Sequence, residues 1–132
     1  MRTKTLNTSL PISFRQIHLE LAREREHPEG ATDVGYIIVA PLDRNGRIDA
    51  ELWKEYRDAY RVTRLRPDQT DEIGQLVHRP GGSWAIHYGS SAELPDETGY
   101  HFQQERFTPG EYVSIREGET MRTYRVSSVS PL

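Results

Sequence analysis

The chain has 132 residues, a formal net charge of −3 and a charged fraction of 28%. Its seven Tyr, three Phe and two Trp argue against a disordered chain, because disordered chains are poor in aromatic residues. The small acidic excess argues against a generic nucleic-acid binder, which carries a basic excess. The chain has no cysteine, and no apolar run reaches membrane-spanning length, so we expect a soluble, cytoplasmic protein without disulfides or thiolate chemistry.

The first structured part of the chain reads as a β-hairpin. Residues 16–23 alternate apolar and polar side chains with the period of a strand. A helix with one apolar face fits the same residues. The β-branched run 36–40 follows the turn-forming residues 26–30 and favours the hairpin.

One helix is predicted after the turn at residues 43–47. Asp49 fits an N-cap, and Tyr56 and Tyr60 fall on one helical face. Such a helix covers one end or one face of a sheet. Strand character returns at residues 62–66.

Pro80-Gly81-Gly82 joins two strand-like runs and predicts a further hairpin. With the two glycines as the turn, Arg79 lies opposite Trp84 on one face. His78 and His87 are then diagonal neighbours on the other face, with Cβ atoms roughly 7 Å apart.

The clearest hairpin lies near the C-terminal end, where two alternating runs flank the turn residues 117–120. Strand alternation places four apolar side chains of these runs on one face. A lone hairpin is marginal in water, so we expect the rest of the chain to bury them. These side chains are Val113, Ile115, Tyr124 and Val126.

Together the elements number seven or eight short strands and one covering helix. This pattern predicts an α+β fold, an antiparallel-rich small barrel or a strongly curled sheet. Residues 1–11 are polar and end in a proline, which predicts a flexible tail. Residues 12–132 are expected to form a single β-rich domain.

Three stretches, Phe14–Arg23, His78–Gly82 and Pro109–Arg116, resemble a family of small bacterial single-domain proteins. The resemblance extends from about Ile12 to Val129. That family has no assigned activity. The resemblance therefore implies a one-domain fold and supplies no catalytic residue, cofactor or ligand.

Arginine and aromatic residues form the most informative candidate site. Arg64 and Arg66 project from one face of their predicted strand, and Arg79, Trp84 and Tyr88 share one face of the next hairpin. Guanidinium groups beside exposed aromatics are what single-stranded nucleic acid or an acidic peptide uses. An ordinary solvated strand, with Trp84 in the core, is the alternative. Our leading hypothesis is a non-enzymatic, cofactor-free binding module for an anionic partner, either single-stranded nucleic acid or an acidic protein segment.

Histidines support a second hypothesis, a small metal-dependent or acid–base enzyme. His78, His87 and His101 could bind one zinc or iron ion if they converge, with Asp96 or Glu97 supplying an oxygen. No His-x-His or His-Glu-x-x-His spacing is present, so we expect no bound metal. Asp96 and Glu97 are adjacent in the sequence, and this pattern indicates solvated charges on a loop. A third hypothesis is an accessory protein whose contacts are purely protein–protein, made through a sheet edge or an acidic loop.

Overall fold

The computed structural model describes residues 10–89 and 94–132. They form a closed barrel of antiparallel strands in which each strand pairs with its neighbours along the chain and the last pairs with the first. The barrel and its one short helix confirm the predicted fold class and decide for the barrel over the curled sheet. Most of the predicted tail, residues 1–9, lies outside the described residues. The strands are β1 (Phe14–Leu21), β2 (Ala31–Pro41), β3 (Arg61–Leu65), β4 (Glu72–His78), β5 (Trp84–His87), β6 (Glu97–Tyr100), β7 (Tyr112–Glu117) and β8 (Thr120–Pro131).

The helix is shorter than the sequence predicts. Helix α1 covers Trp53–Tyr56 and continues as a 3-10 turn over Arg57–Ala59. The chain then turns away, because Tyr60 is fully buried under the end of the barrel and its hydroxyl donates to the Asp49 carbonyl at 2.5 Å. Burial of this one ring therefore ends the helix.

The β4–β5 hairpin differs from its predicted register. Trp84 lies opposite His78, not opposite Arg79, so the predicted pairing is wrong by one residue. A one-residue shift moves every side chain of a strand to the other face. The cause is a longer turn, in which the Arg79 N–H donates to the Ser83 carbonyl at 2.8 Å.

Aromatic side chains close the end of the barrel where α1 lies. Trp84 stacks on Tyr60, with ring centroids 5.7 Å apart, and Phe102 meets Phe107 edge-on at 5.0 Å. Gly99 makes room for this packing, since a Cβ there would lie 2.4 Å from the Phe102 ring. We call this end the aromatic end.

The β7–β8 hairpin confirms the predicted core face. Val113 lies opposite Tyr124, and all four predicted side chains are buried, none more than 1% exposed. The organising apolar face of the C-terminal hairpin is therefore part of the barrel interior.

Val126→Ala is expected to lower the free energy of unfolding by about 1–3 kcal/mol, because it removes two methyl groups from a filled interior. Denaturant melts of the wild type and the variant measure the change. Arg125→Ala, at the exposed neighbouring position, is the control and should stay within about 0.5 kcal/mol. An unchanged midpoint for Val126→Ala would show that the hairpin is peripheral.

Candidate functional site: the mouth of the barrel

The end of the barrel opposite α1 is polar. Because the strands alternate in direction, the β1–β2, β3–β4, β5–β6 and β7–β8 connections all reach this end. A cleft of about 690 Å³ opens there, and its lining includes Arg64, Glu97, Glu117 and Arg122. We call this end the mouth.

A connected set of polar side chains lies at the mouth, and most of it points into the barrel. Strand alternation places these residues on the same interior surface as the apolar core. We call the set the mouth cluster. It consists of Glu24, Tyr36, Arg64, Arg66, Tyr88, Glu97, Glu117, Arg122 and Tyr124.

Glu97 is the deepest carboxylate of the mouth cluster, with 3% of the residue exposed. Its Oε1 atom contacts the hydroxyls of Tyr36, at 2.9 Å, and Tyr88. Its Oε2 atom accepts a hydrogen bond from Arg64 Nε at 3.1 Å. The interpretation of this residue as a solvated loop charge is therefore wrong. Glu97 begins β6 opposite Ile86 and points inward.

Glu117 is the second carboxylate of the mouth cluster, with 10% of its side chain exposed. Its Oε2 atom contacts the hydroxyls of Tyr36, at 2.8 Å, and Tyr124. Its Oε1 atom accepts from Arg66 Nη2 at 3.0 Å. Arg66 also donates to the Tyr124 hydroxyl at 3.2 Å and lies over the Tyr36 ring, 5.3 Å from its centroid. Each carboxylate thus hydrogen-bonds with one arginine and two tyrosines.

The three tyrosines of the mouth cluster are neutral donors. Burial, followed by the negative charge of neighbouring groups, raises the pKa of Tyr36 and Tyr124 far above its usual value. Burial and the hydrogen bond to Glu97 raise the pKa of Tyr88 in the same way. Each phenol therefore contributes one proton to the network at any physiological pH.

Gly74 allows Tyr88 to reach the mouth cluster. A Cβ at Gly74 would lie 2.7 Å from the His87 carbonyl oxygen and 3.0 Å from the Tyr88 ring. Any larger residue would therefore displace the chain that carries Tyr88. This close approach explains a glycine inside β4, where it otherwise weakens a strand.

The arginines of the mouth retain unused donors. Arg64 hydrogen-bonds through Nε alone, and its Nη2 atom is 4.0 Å from Glu117 Oε1. Arg122 donates from Nη2 to Glu24 at 2.8 Å, while its Nη1 atom is 4.0 Å from Glu117 Oε1. Within residues 10–89 and 94–132, the Nη1 atoms of Arg64 and Arg122 have no hydrogen-bond acceptor.

The five residues of the predicted Arg/aromatic face separate into different places. Arg64, Arg66 and Tyr88 meet in the mouth cluster. Trp84 is 1% exposed in the aromatic end, and Arg79 is half exposed and pairs with Asp96. These side chains do not form one exposed face, because the register shift of β4 and the closure of the barrel turn most of them inward.

The three histidines of the second hypothesis do not converge. The ring of His78 lies 4.5 Å from that of Trp84, whereas His87 is half exposed outside and its Nδ1 atom lies 2.7 Å from Asp96. His101 stacks on its neighbour Tyr100 instead. In the part of the chain that the structure describes, no group of three or more His, Cys, Asp or Glu residues is placed to hold a metal ion. That no metal binds stays a prediction.

No family model, curated protein or solved structure matches this chain. The resemblance to small bacterial proteins therefore stays a prediction from the sequence. None of the helices among the described residues has the length and apolar character needed to cross a membrane.

Proposed function

We propose that this barrel is a non-enzymatic binding module whose mouth receives a carboxylate of an acidic protein segment. The observation that carries the proposal is the excess of unused hydrogen-bond donors in a cleft lined by Arg64 and Arg122. The partner is still the anionic one that the sequence predicts, but the proposed site lies in the barrel interior instead of on an outer strand face.

The excess is clear from a count of donors and acceptors. A guanidinium carries five N–H donors, and Arg64 uses only its Nε–H in a hydrogen bond within the described structure. Glu97 and Glu117, by contrast, each contact two hydroxyls and one guanidinium. The guanidinium of Arg64 therefore retains N–H donors that no acceptor in the described structure uses, and a ligand with acceptor oxygens complements them.

A carboxylate fits this site better than single-stranded nucleic acid does. The planar guanidinium fork matches the two oxygens of a carboxylate. Single-stranded nucleic acid needs exposed aromatic rings on which bases stack, and Trp84 and Tyr88 are both buried. The geometry therefore favours the acidic protein segment.

Apolar side chains beside the arginines support a peptide ligand. Leu94, Pro95 and Met121 line the same cleft as Arg64 and Arg122. The methylene groups of a glutamate side chain can contact this apolar part while its carboxylate reaches the arginines. The mouth therefore offers complementary surface to both ends of an acidic side chain.

Isothermal titration of the full chain with a hexaglutamate peptide tests the proposal. We expect saturable binding that weakens with salt. Arg122→Gln should weaken it by about tenfold, the effect of losing one charged hydrogen bond. Arg61→Gln is the matched control, because it removes the same charge from an exposed position on β3 and should leave the affinity within about twofold.

Other outcomes identify the partner differently or reject the site. No binding at low salt, or binding unaffected by Arg122→Gln, would contradict the proposal. Tighter binding of oligothymidylate, lost in Arg122→Gln, would identify nucleic acid as the partner. Free glutarate binding as tightly as the peptide would identify a small carboxylate instead of a protein segment.

A further inference from the structure

Five side chains of the mouth cluster form a single row of oxygen contacts. The row begins at Tyr88, passes through Glu97, Tyr36 and Glu117, and ends at Tyr124. The central hydroxyl, that of Tyr36, is 2.9 Å from Glu97 Oε1 and 2.8 Å from Glu117 Oε2. Both distances are those of hydrogen bonds.

The row contains one more oxygen–oxygen contact than it has phenolic protons to fill these contacts. It contains four oxygen–oxygen contacts, and each needs one proton between its two oxygens. The three phenols supply three protons, and the single proton of Tyr36 can serve only one of its two carboxyl neighbours. With Glu97 and Glu117 both ionised, one contact would bring two lone pairs together in a buried site, which is costly.

We propose that Glu97 and Glu117 hold one additional proton between them in the folded protein at neutral pH, linked through the Tyr36 hydroxyl. In one arrangement the proton is on Glu97 and Tyr36 donates to Glu117. In the other it is on Glu117 and Tyr36 donates to Glu97.

The surrounding charges are compatible with this proton. Arg64 and Arg66 contact the carboxyl oxygens that face away from Tyr36, namely Glu97 Oε2 and Glu117 Oε1. A proton on the side that faces Tyr36 leaves both contacts in place. The titratable and charged groups that face the pair are Tyr36 from β2, Arg64 and Arg66 from the β3 end, Tyr88 after β5, Arg122 and Tyr124 from β8, and Glu24, which reaches it through Arg122.

The shared proton changes the charge of the mouth. Three arginines face Glu24 and a carboxyl pair that carries one negative charge instead of two, so the mouth cluster has a net charge of +1. This consequence rests on the proposed function, because it supplies the positive charge that a single ligand carboxylate neutralises. We therefore expect the mouth to prefer a carboxylate to a dianionic phosphate.

Infrared spectroscopy of the ligand-free protein at neutral pH tests the proton directly. We expect the C=O stretch of one neutral carboxylic acid per chain. Tyr36→Phe should abolish it by removing the bridge, and Tyr60→Phe, another buried tyrosine, should retain it because its hydroxyl bonds a backbone carbonyl. Glu97→Gln and Glu117→Gln should each abolish it, because the remaining carboxylate then accepts the Tyr36 proton.

Either of two results would overturn the proposal. The first is the absence of this band from the wild type, and the second is a band that remains in the Glu97→Gln variant and in the Glu117→Gln variant. The measurement needs no ligand, so it is independent of the hexaglutamate titration. A band without peptide binding would reject the binding function and keep the shared proton. The net charge of the mouth cluster is tested by ligand preference, since the protein should bind hexaglutamate more tightly than inorganic phosphate. Tighter binding of inorganic phosphate would contradict the selection of a carboxylate.

Discussion

Trp84→Ala is expected to lower the free energy of unfolding by about 3–5 kcal/mol, the range for removing a large aromatic side chain from a core. The indole is 1% exposed, stacks on Tyr60 and lies 4.5 Å from the ring of His78. Its removal leaves a cavity where three strand connections meet, and these rings cannot fill it without leaving their own contacts. Guanidinium chloride melts followed by far-UV circular dichroism measure the loss.

Two further variants separate burial from aromatic character. Trp84→Phe keeps a ring in the stack and should cost less than Trp84→Ala. Tyr100→Ala removes an aromatic side chain that is 46% exposed, so its effect should be much smaller than that of Trp84→Ala. A Trp84→Ala midpoint close to that of the wild type would mean that the aromatic end does not hold the barrel together.

Arg64→Met is expected to lower the free energy of unfolding by about 3 kcal/mol at neutral pH, the lower end for a broken buried ion pair, because the shared proton can neutralise Glu97 but its Oε2 atom still loses its hydrogen-bond donor. The Arg64 and Glu97 side chains are 14% and 4% exposed, so water replaces little of the lost contact. Glu97→Gln in the same chain should recover much of the loss, since the neutral amide no longer needs a cation. Urea melts of the two single variants and the double variant form the cycle.

Arg61→Met is the control for this cycle, because Arg61 lies on the same strand at an exposed position. Its effect should stay within about 0.5 kcal/mol. Additive effects of Arg64→Met and Glu97→Gln would contradict the prediction, since side chains in direct contact should show a coupling energy of about 0.5–3 kcal/mol.

The fold was largely predictable because strand periodicity is a local signal. Val113 and Ile115 are recognisable as core residues from two or three neighbours on either side, and all four predicted side chains of the last hairpin are buried. The turn at Pro80-Gly81-Gly82 was recognisable too, but its length was not. The turn is one residue longer than predicted, and this difference places His78 instead of Arg79 opposite Trp84. Short-range composition does not determine the length of the turn.

The mouth cluster was not predictable from local pattern. Arg64 meets Glu97 across 33 residues, Tyr36 meets Glu97 across 61, and Arg122 meets Glu24 across 98. Nothing near Glu97 in the sequence marks it as buried, because its partners come from other strands. Arg64, Arg66 and Tyr88 were recognised as candidates from their chemistry. Glu97 was named only as an oxygen ligand of the hypothetical metal site, and Glu117 and Tyr36 were not candidates.

The sequence by itself determined the strand-rich character, the single helix and the apolar face of the last hairpin, since each depends on side chains within a few positions of one another. For the strands that carry Arg64 and Glu97, only the tertiary structure decided which face is inside. Alternation divides a strand into two faces, and closure of β1 onto β8 encloses one of them. That closure enclosed Arg64 and Glu97 with the core, and it converted residues that read as surface charges into a buried polar site.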